Sequence, residues 1–484
     1  MITWRLPLVV LTCLSMAVTG CMQSSSGQGT DGIFSHSAAS KMAVTGAKTK
    51  LKFWSTGRHD ANYIKEVIHR YNQENPDNIE VEMTVMADDF AQSLDLSFAS
   101  EQSPDIFTPI DLAEMTRKGY VEPLNEYITP VIRSRFGKQA FIEGYNVFDQ
   151  WIYSLPNSGS TLRLIYNVEL FARAGINSPP KSLDELVEAA RRITEIGKAD
   201  GIYGFALPYK IPASALGRSA VPIAEISGIS GDGYDFSTGA YDFSGLKPII
   251  GAFRAMMENG STLPGAESLD IDPLRAQFAD GKIGMYLSYS SEPGIYKFQF
   301  PAKIKWEAAL PPSIDGTYKG VINQGVGATR WLSISSQSQH KEEAWKFLSY
   351  MYSDEVLIGY QEAGLGILSV ESIAKKAKRP DIGGIEGFIP GDYDGIWPAS
   401  PQGFKPKGRE WEDEFVKYIM IGGDLDRLVE DLNARYNAAL DQERAAGRVN
   451  MQAIPEFDPL HPQDRLMAND GSYSKRTTAA TTEI

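Results

Sequence analysis

Cysteine is almost missing from this 484-residue chain: the only two are Cys13 and Cys21. Nothing beyond residue 21 can therefore form an intrachain disulfide, a thiolate metal site or a cysteine nucleophile. Histidine is scarce as well. His36, His59, His69, His340 and His461 form neither an HExxH motif nor a closely spaced pair, so neither a zinc site nor any other metal or cofactor is expected. Gly-x-Ser-x-Gly is absent, which removes the usual serine-hydrolase elbow. Basic residues are in deficit, 47 against 61 acidic ones, and the net charge of −14 repels phosphate backbones and argues against a nucleic-acid partner. What is present is ordinary globular material, 43% hydrophobic, long enough for two or three domains.

Arg5 is followed by about a dozen mostly apolar residues to Val18, too few to span a bilayer of roughly 30 Å at about 1.5 Å per helical residue. Residues 1–20 are expected to be a secretory signal. The stretch ends in Val18-Thr19-Gly20-Cys21, which resembles the lipobox of bacterial lipoproteins, and implies lipid attachment at Cys21. Residues 21–47, rich in Ser, Gly, Ala and Thr, suit a flexible tether. The expected location is extracytoplasmic, at the cell membrane.

An alternation of strand and helix signals follows. Lys50 to Trp54 reads as a strand. Ile64, Val67, Ile68 and Tyr71 mark one helix face, closed by Asn75-Pro76. Ile79, Val81, Met83 and Val85 alternate as a half-buried strand, Phe90, Leu94 and Phe98 suggest a helix, and Pro104 to Phe107 a third strand. This β-α-β-α-β order predicts a mostly parallel sheet with helices packed on it. A second α/β region opens with the Leu162, Leu164, Tyr166 strand and a helix begun by the Ser182/Glu185 capping box. Asp60, Ser182 and Asp424 all read as helix caps. Beyond Pro455 periodicity fades into a surface-wrapping or disordered tail, the last part of a segment 451–484.

From about Leu51 to Ala446 the chain resembles the family 1 extracellular solute-binding proteins of ABC importers. The resemblance rests on ordered pieces: Phe53-Trp54-Ser55, Ser103-Pro104-Asp105-Ile106-Phe107, Leu164-Ile165-Tyr166-Asn167, Phe278-Ala279-Asp280-Gly281-Lys282-Ile283-Gly284-Met285 and Glu343-Ala344-Trp345-Lys346-Phe347-Leu348. It implies an α/β fold of the two-lobe type II periplasmic-binding-protein kind, each lobe a mixed sheet flanked by helices, with the ligand between them. Lobe one would hold residues 48–156 and 313–368, and lobe two residues 157–312 and 369–450. It further implies a non-enzymatic, monomeric receptor that captures a carbohydrate, an oligosaccharide, and delivers it to ABC transporter permease subunits.

Open α/β sheets bind ligands beyond the carboxyl ends of their strands. That rule selects the loop holding Thr56, Arg58 and His59 after the first strand, and Asp111 after the third. Charged groups there can hold hydroxyls in fixed geometry. The resemblance adds Ser160 at the first crossing between lobes, and Tyr289 and Trp397 as rings against sugar faces. Trp54 and Tyr209 are further aromatic candidates at loop positions. Arg58, Asp111 and Glu292 form a mixed-charge set that points to a neutral polyol. The competing expectations are a lipid-anchored polysaccharide hydrolase or lyase, and a receptor of the same fold for a peptide, polyamine or metal complex.

Overall fold

The computed structural model describes residues 48–86, 89–137, 140–323, 331–368, 370–401, 404–449 and 451–465. The expected signal and tether, with Cys21, lie outside the described residues.

The first strand, Thr49–Ser55, lies between two parallel neighbours, Ile79–Val85 and Ile106–Phe107, and Ser333–Ile334 pairs antiparallel with the latter. A sequence-distant strand thus completes a mixed sheet. Leu51 and Phe53 point into a core with Ile64, Val67, Ile68 and Tyr71 of helix Ala61–Glu74, the face anticipated from its i, i+3, i+4, i+7 spacing. Asn75 ends that helix in a specific way. Its backbone N–H and its side-chain amide both donate to Tyr71 O, and its side chain also exchanges two hydrogen bonds with the backbone of Ile79, tying helix end to strand start. Helices Lys341–Met351 and Asp354–Glu362 return to the same core through Phe347, Leu348, Val356 and Leu357.

The second sheet runs Trp306–Ala309, Leu162–Asn167, Ile283–Tyr289, Tyr203–Phe205, antiparallel except for its last pair. Both sheets are therefore mixed. Helix Leu183–Gly197 covers one face, and Ser182 Oγ accepts from Glu185 N at 3.2 Å as its capping box requires. Glu185 reaches back one residue further than expected, to the N–H of Lys181 at 2.7 Å. Helix and sheet touch at Gly204, where any Cβ would stand 2.0 Å from Ala190 O; only glycine permits that approach.

A short antiparallel ribbon, Ser158–Gly159 with Ile367–Leu368, joins the two halves. The guanidinium of Arg163 makes a buried bidentate pair with Asp394 at 2.6 and 2.8 Å and donates to Gly387 O and Ile389 O, clamping a returning segment onto the second sheet. The end of the described chain packs down: Phe457 stacks 4.9 Å from Phe236, and Val321 N donates to Pro459 O. Residues 451–465 thus take the wrapping form of the two expected for the tail. Among the described residues no helix is long and apolar enough to cross a membrane.

Candidate functional site between the two sheets

Parallel strands send their carboxyl ends the same way, and here Ser55, Thr108 and Tyr289, each at or just past a strand end, meet around one cavity of about 570 Å³. That size suits a small-molecule cleft of about 300–1,000 Å³. Its walls come from both halves. The first contributes Thr56, Arg58, His59, Asp60, Trp331 and Tyr360; the second Ser214, Arg218, Asp270, Arg275 and Tyr289; the crossing segment Ser158 to Ser160 lies between. A more apolar cavity of about 310 Å³, lined by Ile367, Phe388 and Ile389, shares Ser290 and Gly366 with it. The polar groups are concentrated in the larger one.

On the first-sheet side, the hydroxyl of the buried Tyr360 donates to Asp60 Oδ2 at 2.9 Å and stands 3.1 Å from His59 Nε2. Burial pushes this hydroxyl well above its ordinary pKa. Asp60 occupies the N-cap position of Ala61–Glu74 without making a capping bond. The expectation of a cap is corrected: the carboxylate turns toward Tyr360, 300 residues away, and lines the cleft. Gly366 lets this wall close up, since a Cβ there would lie 2.7 Å from Ser158 Oγ.

On the second-sheet side a charged network sits directly behind the surface. Arg275 Nε and Nη2 bond Glu292 at 2.7 to 3.0 Å, and its Nη1 donates to Asp272 at 2.8 Å. Ser288 Oγ donates to Glu292 at 2.7 Å and accepts from Arg218 Nη1 at 2.9 Å. Burial works to raise the Glu292 carboxyl, and Arg275, helped by these hydrogen bonds, holds it below its usual range. Arg218 lies over the Tyr289 ring, 4.6 Å from its centroid. Two contacts span the cleft: Arg58 stands 3.8 Å from both Asp270 and Asp272, and Gln299 Nε2 donates to His59 O at 2.7 Å.

Of the residues expected at the site, Thr56, Arg58, His59, Ser160 and Tyr289 come together in this cavity. Five do not line it. Asp111 caps helix Leu112–Arg117 by accepting from Glu114 N and faces a separate hollow with Lys118 and Lys405. Glu292 is fully buried one layer back, where Arg275, aided by Ser288, makes its charge tolerable. Trp397 is a core residue: its ring packs on Phe236 and Phe457, and its Nε1 donates to Val321 O. Tyr209 is buried in the same core. Trp54 is half-buried against the Phe90, Leu94 and Phe98 cluster. With Asp111 and Glu292 removed from the wall, only Arg58 of the charge set behind the neutral-polyol expectation faces the ligand space.

Arg218, Arg275 and Asp270 also line the cavity, and no loop rule or resemblance points to them. Arg275 carried a signal: it falls four residues after Ile271 and beside Leu274 and Phe278, on the apolar stripe of Ile271–Ala279, where a charge requires a buried partner.

A cleft closed by two mixed α/β sheets, polar and partly aromatic, defines a two-lobe solute-binding fold. The profile of the bacterial extracellular solute-binding proteins matches residues 56–357, well over half of the chain, and the chain belongs to that family. A binding protein of Brucella abortus (strain 2308) is 29% identical over 305 residues, 60% of this chain and 69% of its own length. The maltotriose-binding protein of Pyrococcus abyssi is 26% identical over 291 residues, 59% of this chain and 58% of its own. Among solved structures, a solute-binding protein of an ABC transporter from Thermotoga lettingae, bound with α-D-tagatose, superposes with a TM-score of 0.61 at 21% identity, covering 81% of this chain and all of that one. The last likeness shows the type II fold. The family is one of extracellular receptors and not of enzymes, which sets aside the hydrolase or lyase alternative.

Proposed function

We propose that this protein is a lipid-anchored receptor that takes an oligosaccharide into the cleft and presents it to an ABC permease. The observation that carries the reading is the cleft itself, where the Tyr289 and Trp331 rings stand among Ser, Thr, Asp and Arg groups supplied by both halves. Flat rings cover the apolar CH faces of pyranoses, and the polar groups replace the water lost by each hydroxyl, a loss of about 1–3 kcal/mol if unmatched. The maltotriose named for one relative and the tagatose bound by one neighbour support a carbohydrate.

Two lobes hinged at the Ser158–Gly159 ribbon would convert binding into closure, because a ligand that touches both stabilises the closed state by its extra contacts there. We assign residues 48–156 and 313–368 to one lobe and 157–312 and 369–450 to the other. Two local exceptions stand out: Val321 and Ile322 pack in the second core, and Val370 and Ile373 in the first. Cys21, behind its lipobox-like sequence, is the proposed lipid site, and a tether there would raise the receptor's concentration near the transporter.

A melting-temperature screen of the purified protein against mono- and oligosaccharides, amino acids and polyamines tests the ligand class. A saccharide at about 100 times its Kd should add about 2.7 kcal/mol of stability. Shifts only with amino acids or polyamines would replace this reading by the peptide or polyamine receptor.

A further inference from the structure

The three arginines of the cleft are not equivalent. Arg275 gives its donors to Glu292 and Asp272, and Arg58 is matched by Asp270 and Asp272 across the cleft. The carboxylates are matched in turn: Asp270 also faces Lys210 at 3.5 Å, and Asp60 takes the Tyr360 hydroxyl. Arg218 differs. Among the described residues its partners are all neutral: Ser288 Oγ at 2.9 Å, Ser214 Oγ at 3.3 Å and the Tyr289 ring. It feels the charge of Glu292 only through Ser288, and that carboxylate is bonded directly by Arg275. Nη2 has no acceptor among the described residues.

This guanidinium sits half-buried at the end of helix Pro212–Arg218, held in place by two serines and a ring, and it lines the cavity. When the cleft fills and water leaves, a cation whose direct partners among the described residues are neutral loses hydration that two hydroxyls and a ring replace only in part. A carboxylate or phosphate oxygen pair restores both the charge balance and the planar, bidentate geometry that a guanidinium offers.

We propose that the cleft is selective for an anionic saccharide, whose acidic group is received by Arg218 while a sugar ring lies near Tyr289. The inference rests on the saccharide reading above and narrows it.

Calorimetric titration with uronate disaccharides against their methyl esters, and with hexose phosphates against the free hexoses, tests it and separates carboxylate from phosphate. The acidic form of one pair is expected to bind about 10- to 100-fold more tightly than its neutral counterpart, with the gap narrowing at high salt. Arg218→Gln should abolish the gap and Arg218→Lys should keep part of it. If Arg218→Gln does not fold, the wild-type comparison of acid with ester decides alone. Equal binding of acid and neutral forms, or a preference that survives Arg218→Gln, overturns the inference and leaves the receptor reading standing. Failure of every saccharide, acidic or neutral, removes both.

Discussion

Glu292 accepts three hydrogen bonds from the Arg275 guanidinium at 2.7 to 3.0 Å, and the carboxylate is wholly shielded from solvent. Arg275 lines the cleft's second wall and Glu292 supports it from one layer behind. Removing one member of such a pair strands the other charge in a dry site. Glu292→Ala should therefore cost about 3–5 kcal/mol of unfolding free energy, read as a lower urea midpoint. A change under 1 kcal/mol would mean that the pair is hydrated in solution.

A second buried carboxyl predicts the pH dependence of stability. Burial pushes Glu225 up to about 8, against the opposing hydrogen bond from Asn323 N at 2.9 Å, and burial also raises Glu412, to about 7. Their folded values lie above the ordinary 4.5 of the unfolded chain. Between those limits the folded protein retains protons that the unfolded chain has released, so stability present below about pH 4.5 is lost as pH rises toward 8. Denaturant titrations should show a fall of ~2–4 kcal/mol from pH 5 to pH 8, and Glu225→Gln should flatten most of it. An unchanged slope in Glu225→Gln would rule out this carboxyl as the source.

Cys21→Ala should move the protein from the membrane fraction to the periplasm or medium, because one or more acyl chains, at about 0.8 kcal/mol per buried CH2, would be lost with the thiol. Unchanged membrane fractionation would refute lipid attachment at this residue.

Local patterns were readable and long-range partnerships were not. The helix Ala61–Glu74 and the strand Ile79–Val85 follow from periodicity, and Ser182 caps its helix as its spacing suggests. Asp60 and Asp111 look alike in sequence, each an acid ahead of an apolar helical pattern, yet their roles are opposite to those expected. Asp111 caps, while Asp60 is drawn to Tyr360. That difference is set by a helix 300 residues downstream. The loop after the first strand was legible because strand ends can be read from sequence. The Arg218–Ser288–Glu292–Arg275 network was not, since it joins a strand end to three helices whose packing no local spacing encodes. Tyr209 and Trp397 have the sequence setting of loop aromatics, but burial of their large apolar surface draws both into the core.

The central claim is that a saccharide binds between the two sheets against Tyr289, and a calorimetric titration comparing wild type with Tyr289→Ala tests it most directly. A saccharide that stabilises the wild type should bind it one to one and bind Tyr289→Ala about tenfold or more weakly, since an aromatic stacking contact is worth about 1–3 kcal/mol. Equal affinity for both proteins would place the ligand elsewhere and contradict the account.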